Sequence, residues 1–188
     1  DGDQIIAILA SGLNARGELA KSTVVATVMS NLGFFKAMEK AGINVEVTGV
    51  GDRYVLELLK QKGWIIGGEG SGHLLCLDQH TTGDGIIAAL QVLGAMNKNK
   101  KSLAQLLEKV TIFPQVLLNV KFKSGYDWKS DEKLTQQIAK VEFELKGIGR
   151  VLIRTSGTEP LLRVMVETKD ADLAMRAAKS IADLVPTA

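Results

Sequence analysis

Up to about residue 108, short β-branched apolar runs alternate with stretches of helical period, and the alternation stops at Pro114. A chain built this way lays its helices on a mostly parallel sheet. Asp3 is placed to cap a first helix carrying Ile5, Ile6, Leu9 and Leu13. Residues 22–29 read as a strand, and Asn31 as the cap of a helix over 32–41. A strand is expected at 44–50 and a helix at 53–62. Short strands are expected at 64–66 and 73–77, with a glycine-rich loop at 67–72 between them. Asp84 is expected to cap a strongly apolar helix through Ile86, Ile87, Leu90 and Leu93, and a short helix follows over 103–110.

Beyond Pro114 the pattern changes. Residues 115–123 alternate as a strand does, 131–146 are helical, then come a strand, a polar turn, a second strand and a last helix over 170–184. Strands paired by a tight turn and flanked by helices point to a small α+β domain with an antiparallel sheet. The expected organisation is α/β over residues 1–109 and α+β over 110–188, with the boundary near 109–114.

Hydrophobic residues make up 46% and charged residues 23%, the balance of a soluble globular protein. No apolar run is long enough to span a bilayer and no signal peptide is visible, so no membrane partner is expected. A net charge of +2 and an aromatic content of 5% give no pull toward nucleic acid. Residues 109–188 carry 13 Lys/Arg against 10 Asp/Glu, a mild surplus that suits an anion-holding domain and is equally compatible with chance. The single cysteine, Cys76, lies in the apolar run Leu74-Leu75-Cys76-Leu77. It cannot form an internal disulfide and reads as a buried structural thiol, which fits a cytoplasmic protein. The chain opens on Asp1, not Met, and directly into helical pattern, which reads as a piece cut from a longer protein.

Arg154-Thr155-Ser156-Gly157-Thr158-Glu159-Pro160 gathers what a phosphate dianion needs. Arg154 offers a planar fork of donors matched to phosphate oxygens. Ser156 and Thr158 offer hydroxyls, and Gly157 lets successive N–H groups line a concave nest. A polar hairpin turn accounts for Gly157 and Pro160 but not for the Arg, Ser and Thr together.

Three further clusters are candidates. In Gly67-Gly68-Glu69-Gly70-Ser71-Gly72-His73, four glycines permit close backbone approach to a ligand. Glu69 and Ser71 suit sugar hydroxyls, and His73 can relay a proton near neutral pH. A flexible strand-to-strand loop explains the same residues, and the run lacks the strand-to-helix context of a dinucleotide fingerprint. In Gly49-Val50-Gly51-Asp52-Arg53-Tyr54, Asp52 is placed as a helix cap, while the functional alternative has Arg53 reaching a ligand phosphate. Asp1-Gly2-Asp3 presents the paired carboxylates that hard cations favour, but no further acidic ligand is near, so capping is expected and no metal site is assigned.

Taken in order, Val50-Gly51-Asp52-Arg53-Tyr54-Val55, Gly68-Glu69-Gly70-Ser71-Gly72-His73, Thr81-Thr82-Gly83-Asp84-Gly85 and Arg154 to Pro160 resemble the α-D-phosphohexomutase superfamily. The resemblance runs the length of the chain. It implies the third and fourth of four domains: a three-layer α/β domain with a sugar-binding loop, then a C-terminal domain with a phosphate-binding loop. Glu69, Ser71 and His73 would read the sugar, with His73 assisting proton transfer. Arg154, Ser156, Gly157 and Thr158 would hold the phosphate not being transferred, and the turn Gly51–Tyr54, with Arg53, would face the central cleft. Gly70 departs from the family, whose members tend to carry a bulkier polar residue there.

The implied activity of the whole enzyme is interconversion of glucosamine 6-phosphate and glucosamine 1-phosphate, toward UDP-N-acetylglucosamine and cell wall. It runs through a phosphoserine and a sugar bisphosphate that is both intermediate and activator. The phosphoserine loop and the Asp-Gly-Asp-x-Asp-Arg magnesium loop of the family are absent from this sequence. Mg2+ is thus expected of the whole enzyme with none of its ligands here, and these residues alone are expected to be inactive. The implied partners are the sugar phosphate and the missing N-terminal domains, with homo-oligomerisation left open. A stand-alone sugar-phosphate binding module and a phosphomannomutase or phosphoglucomutase remain alternatives.

Overall fold

The computed structural model describes residues 1–123, 125–157 and 159–187. They form two compact units, Asp1–Ile112 and Phe113–Ala188.

The first unit runs α1 (Gly2–Ala15), β1 (Thr23–Thr27), α2 (Leu32–Lys40), β2 (Asn44–Thr48), α3 (Asp52–Lys62), β3 (Ile66–Gly68), β4 (Leu74–Cys76), α4 (Gly85–Asn99) and α5 (Leu103–Leu107). Its sheet has the order β2-β1-β3-β4. The first three strands are parallel, and β4 returns antiparallel on β3. Every residue of β1 is buried, so both faces of this central strand must be covered. Val24 and Ala26 face a core with Ile6, Leu9, Phe34 and Met38, from α1 and α2. Val25 faces the other way, onto Val55, Leu59 and Trp64 of α3 and the turn after it. Three layers result. Each fully buried Ile, Phe or Met contributes about 1.5–3 kcal/mol, which fixes the sheet between its helices.

The second unit runs β5 (Gln115–Lys121), α6 (Glu132–Glu144), β6 (Gly149–Thr155), β7 (Leu161–Thr168) and α7 (Ala171–Ala182). The sheet order is β5-β7-β6, antiparallel throughout. Leu162, Val164 and Val166 pack against Leu134, Ile138 and Val141 of α6 and Ala174, Ala178 and Ile181 of α7. Strand alternation puts the intervening residues on the opposite face. Register sets them in rows: Gln115–Glu167–Arg150, Leu117–Met165–Leu152 and Asn119–Arg163–Arg154. In the first row Glu167 is 0% exposed. Its carboxylate meets Arg150 Nε at 2.5 Å and accepts from Gln115 Nε2 at 2.8 Å, which offsets the cost of burying the charge.

Several local expectations are corrected. Asp1, not Asp3, caps α1, in a capping box with Gln4. Asp3 is buried in the first turn. Gly51, not Asp52, is the N-cap of α3, at φ +130°, where a side chain would be strained. Strand β3 lies two residues later than its apolar triplet and includes Gly67 and Gly68. A Cβ on Gly67 would stand 2.6 Å from Val25 O and 2.8 Å from Val55 Cγ1, so glycine is what lets α3 seat there. His73 lies outside β4, which begins at Leu74. The apolar side of α4 is not the packed one: Ile86, Leu90 and Leu93 are exposed, while Ala88, Val92 and Ala95 meet the core. Asn31 and Asp84 cap their helices through Gly33 N, and through Ile86 N and Ile87 N. Among the described residues no helix is long and apolar enough to cross a membrane.

Candidate functional site

In an open sheet of parallel strands, ligands settle beyond the carboxyl ends, where the winding reverses. Here β1 leads through α2 to β2 on one side, and β2 leads through α3 to β3 on the other, with α2 and α3 on opposite faces. The turn before α3 and the loop after β3 lie at that edge. The loop is a closed unit: Glu69 N donates to His73 O, and Gly72 N to Glu69 O, both at 3.0 Å. Glu69 Oε1 accepts from Gly51 N at 2.9 Å, which ties the loop to the start of α3. The structure thus joins two of the motifs through one carboxylate.

Ser71 and His73 are exposed, and Ser71 Oγ lies 3.3 Å from His73 Nδ1. Arg53 is not drawn into this cluster. Its Nε pairs with Glu57 Oε1 at 2.8 Å one helical turn on, both side chains are exposed, and the Glu57 hydrogen bond and charge raise the Arg53 pKa.

In the second unit Arg154 is not part of the turn but lies within β6, directly opposite Arg163 of β7. Ser156 Oγ accepts from Arg163 Nη2 at 3.4 Å, and Ser156 N closes the hairpin on Leu161 O at 2.8 Å. The Nε atoms of Arg154 and Arg163 are buried with no hydrogen-bond partner among the described residues. Burial, and then the neighbouring charge of Arg163, lower the pKa of Arg154. Two guanidinium groups side by side with donors unspent are an arrangement that an anion satisfies. Gly157 is exposed in the turn, with open space where a Cβ would be. Thr158 lies outside the described residues. Arg163 was not singled out from the sequence, although an arginine inside the apolar run Leu161-Leu162-Arg163-Val164-Met165 was the signal for it.

The described residues hold no group of three or more His, Cys, Asp or Glu fit for a metal. The carboxylates that might have served are engaged: Asp1 and Asp84 cap helices, and Asp3 accepts from Asn31 N.

The family model for phosphoglucomutase/phosphomannomutase, alpha/beta/alpha domain III, matches residues 1–113, and the model for the C-terminal domain of the same family matches residues 117–184. The chain belongs to the phosphoglucomutase/phosphomannomutase family. Within it, the phosphoglucosamine mutase of Polynucleobacter asymbioticus is 67% identical over 187 residues, 100% of this chain and 42% of that protein. That of a Polaromonas species is 52% identical over 98% of this chain and 42% of its own length. The chain thus spans less than half the length of the family members it matches. Among solved structures, an N-acetylglucosamine-phosphate mutase in its substrate complex matches with TM-score 0.77 at 21% identity, over 98% of this chain and 43% of that one. The Aspergillus fumigatus N-acetylphosphoglucosamine mutase in complex with GlcNAc-6P and magnesium gives TM-score 0.77 at 22% identity, over 97% and 47%. These two share the fold of this chain over less than half of their own length.

Proposed function

We propose that this chain is the sugar- and phosphate-holding part of a phosphoglucosamine mutase, which interconverts glucosamine 6-phosphate and glucosamine 1-phosphate. The observation that carries the reading is the register pair Arg154–Arg163, with buried donors that have no partner among the described residues. The 67% identity to a phosphoglucosamine mutase supports the choice of sugar.

In this reading a phosphoserine of the whole enzyme passes its phosphoryl group to the free hydroxyl of the sugar phosphate. The resulting bisphosphate returns its other phosphoryl group to the serine, so phosphate is conserved over the cycle. The serine and the Mg2+ ligands belong to domains outside this chain, and no step assigned to these residues runs through the metal. Arg154 and Arg163 neutralise the phosphate that stays on the sugar, with Ser156 and Gly157 beside it in the turn. That grip supplies binding energy which orders the reacting end in the transition state. Glu69, held by Gly51 N–H at one oxygen, accepts from sugar hydroxyls at the other. Ser71 adds a hydroxyl, and His73 holds or relays a proton at Nε2. The proposed setting is the cytoplasm, with the sugar phosphate and the remaining domains as partners.

The test is kcat/KM of the intact enzyme for glucosamine 6-phosphate, glucose 6-phosphate and mannose 6-phosphate. A preference for glucosamine 6-phosphate of about tenfold or more is expected. A preference for mannose or glucose phosphate reassigns the substrate. Binding without turnover of any of the three leaves a binding module.

A further inference from the structure

Of the two carboxylates that open the chain, Asp1 is used as a helix cap and Asp3 is not. Asp3 is only 2% exposed. Its Oδ2 accepts from Asn31 N at 2.7 Å, and Asn31 in turn caps α2 through Gly33 N at 2.9 Å. One residue earlier, Gly2 N donates to Gly70 O at 3.1 Å. The approach is close: a Cβ on Gly2 would run into Glu69 O, and one on Gly70 would stand 3.2 Å from Asp3 Oδ2. The first turn of α1 is therefore pressed against the back of the Glu69–His73 loop, and the Asp3 carboxylate is the wall behind Gly70.

A buried carboxylate is costly unless it is hydrogen-bonded and lies in a favourable field. Asp3 has both, since it sits in the first turn of α1 and takes the backbone N–H of the α2 cap. The loop it backs is closed by its own backbone hydrogen bonds, so a displacement at Gly70 is carried to Glu69. We propose that Asp3 is a positioning residue for sugar recognition. It couples α1 and the α2 cap to the loop, and so sets the stance from which Glu69 meets both Gly51 N–H and the sugar. This inference rests on the reading of the Glu69 loop as the sugar-binding loop.

The test uses the intact enzyme and reads KM and kcat for glucosamine 6-phosphate beside the melting temperature. Asp3→Ala is expected to raise KM about tenfold with kcat changed less than about threefold. Asp3→Asn keeps an oxygen that can accept from Asn31 N–H, and should recover most of the loss. Gly70→Ala removes no hydrogen bond and adds a methyl against Asp3 Oδ2. It should raise KM about threefold at unchanged melting temperature, and add nothing further on top of Asp3→Ala, which makes room for it. Wild-type KM in both single variants, or effects that simply add in the double variant, overturn the proposal. If Asp3→Ala does not fold, KM in Gly70→Ala alone decides. Glu69→Ala with wild-type KM is a separate failure, that of the sugar-binding reading itself.

Discussion

Arg154 and Arg163 are register partners on adjacent antiparallel strands, with Ser156 Oγ 3.4 Å from Nη2 of Arg163. Like charges directly opposite one another destabilise a sheet. Both Nε atoms are buried and without partners among the described residues, a cost that the proposed phosphate would offset.

Removing one of the two charges should therefore separate stability from binding. Arg163→Ala is expected to leave the melting temperature of the ligand-free protein unchanged or higher. Affinity for glucosamine 6-phosphate should fall by about 1.5–3 kcal/mol, the worth of a charge-assisted contact. Thermal melts with and without the sugar phosphate check both parts. A lower ligand-free melting temperature with full affinity would make Arg163 structural.

Gly51 carries a left-handed φ of +130° and aims its N–H at Glu69. Gly51→Ala puts a Cβ into that conformation and 3.4 Å from Tyr54 Cδ2. The expected cost is about 1–3 kcal/mol, read by chemical denaturation. KM for the sugar phosphate should rise as well, because the same amide holds Glu69.

Glu167 is fully buried against Arg150 and Gln115. Arg150→Met leaves a buried carboxylate without its cation, at a cost of about 3 kcal/mol. Adding Glu167→Gln should restore much of this. Equilibrium denaturation of the two variants measures it, and equal stabilities would show that the pair contributes through packing alone.

Burial, and then the charge of Asp78, push the Cys76 thiol up to about 11. The sign follows from the neutral form being the one the fold favours. This contribution to stability is complete below the ordinary thiol range and is lost as pH rises through about 11. Modification by a disulfide reagent at pH 8 should be about a hundredfold slower than for a free thiol, and fast in denaturant.

Much of this was legible in the sequence, and the failures share a cause. The order of strands and helices followed from hydrophobic period, and Asn31 and Asp84 cap where their side chains suggest. At the start of α3 side-chain preference favours Asp52 as the cap, while the backbone at position 51 demands glycine. Strand β3 was misplaced because Gly67 and Gly68 are poor strand formers in isolation, and only the closeness of α3 explains them. The packed face of α4 is hard to read because Ala88, Val92 and Ala95 are smaller than the exposed Ile86, Leu90 and Leu93. Arg163 stands out in the sequence as a charge inside an apolar strand, but its partner Arg154 is given only by register. In each case what decides is set by the tertiary structure, as a backbone angle, a close approach or a pairing register, which local pattern does not carry.

In the proposed mechanism the Arg154–Arg163 pair holds the phosphate that remains on the sugar. Either phosphate of the bisphosphate must occupy that grip as the intermediate turns over, so both directions of the reaction depend on it. The direct measurement is steady-state kinetics of the intact enzyme from glucosamine 6-phosphate and from glucosamine 1-phosphate. Arg154→Ala should lower kcat/KM in both directions by a similar factor, about 10–150-fold. Arg154→Lys should recover only part of it, because charge returns without the planar fork. Wild-type efficiency in either direction after Arg154→Ala would contradict the account.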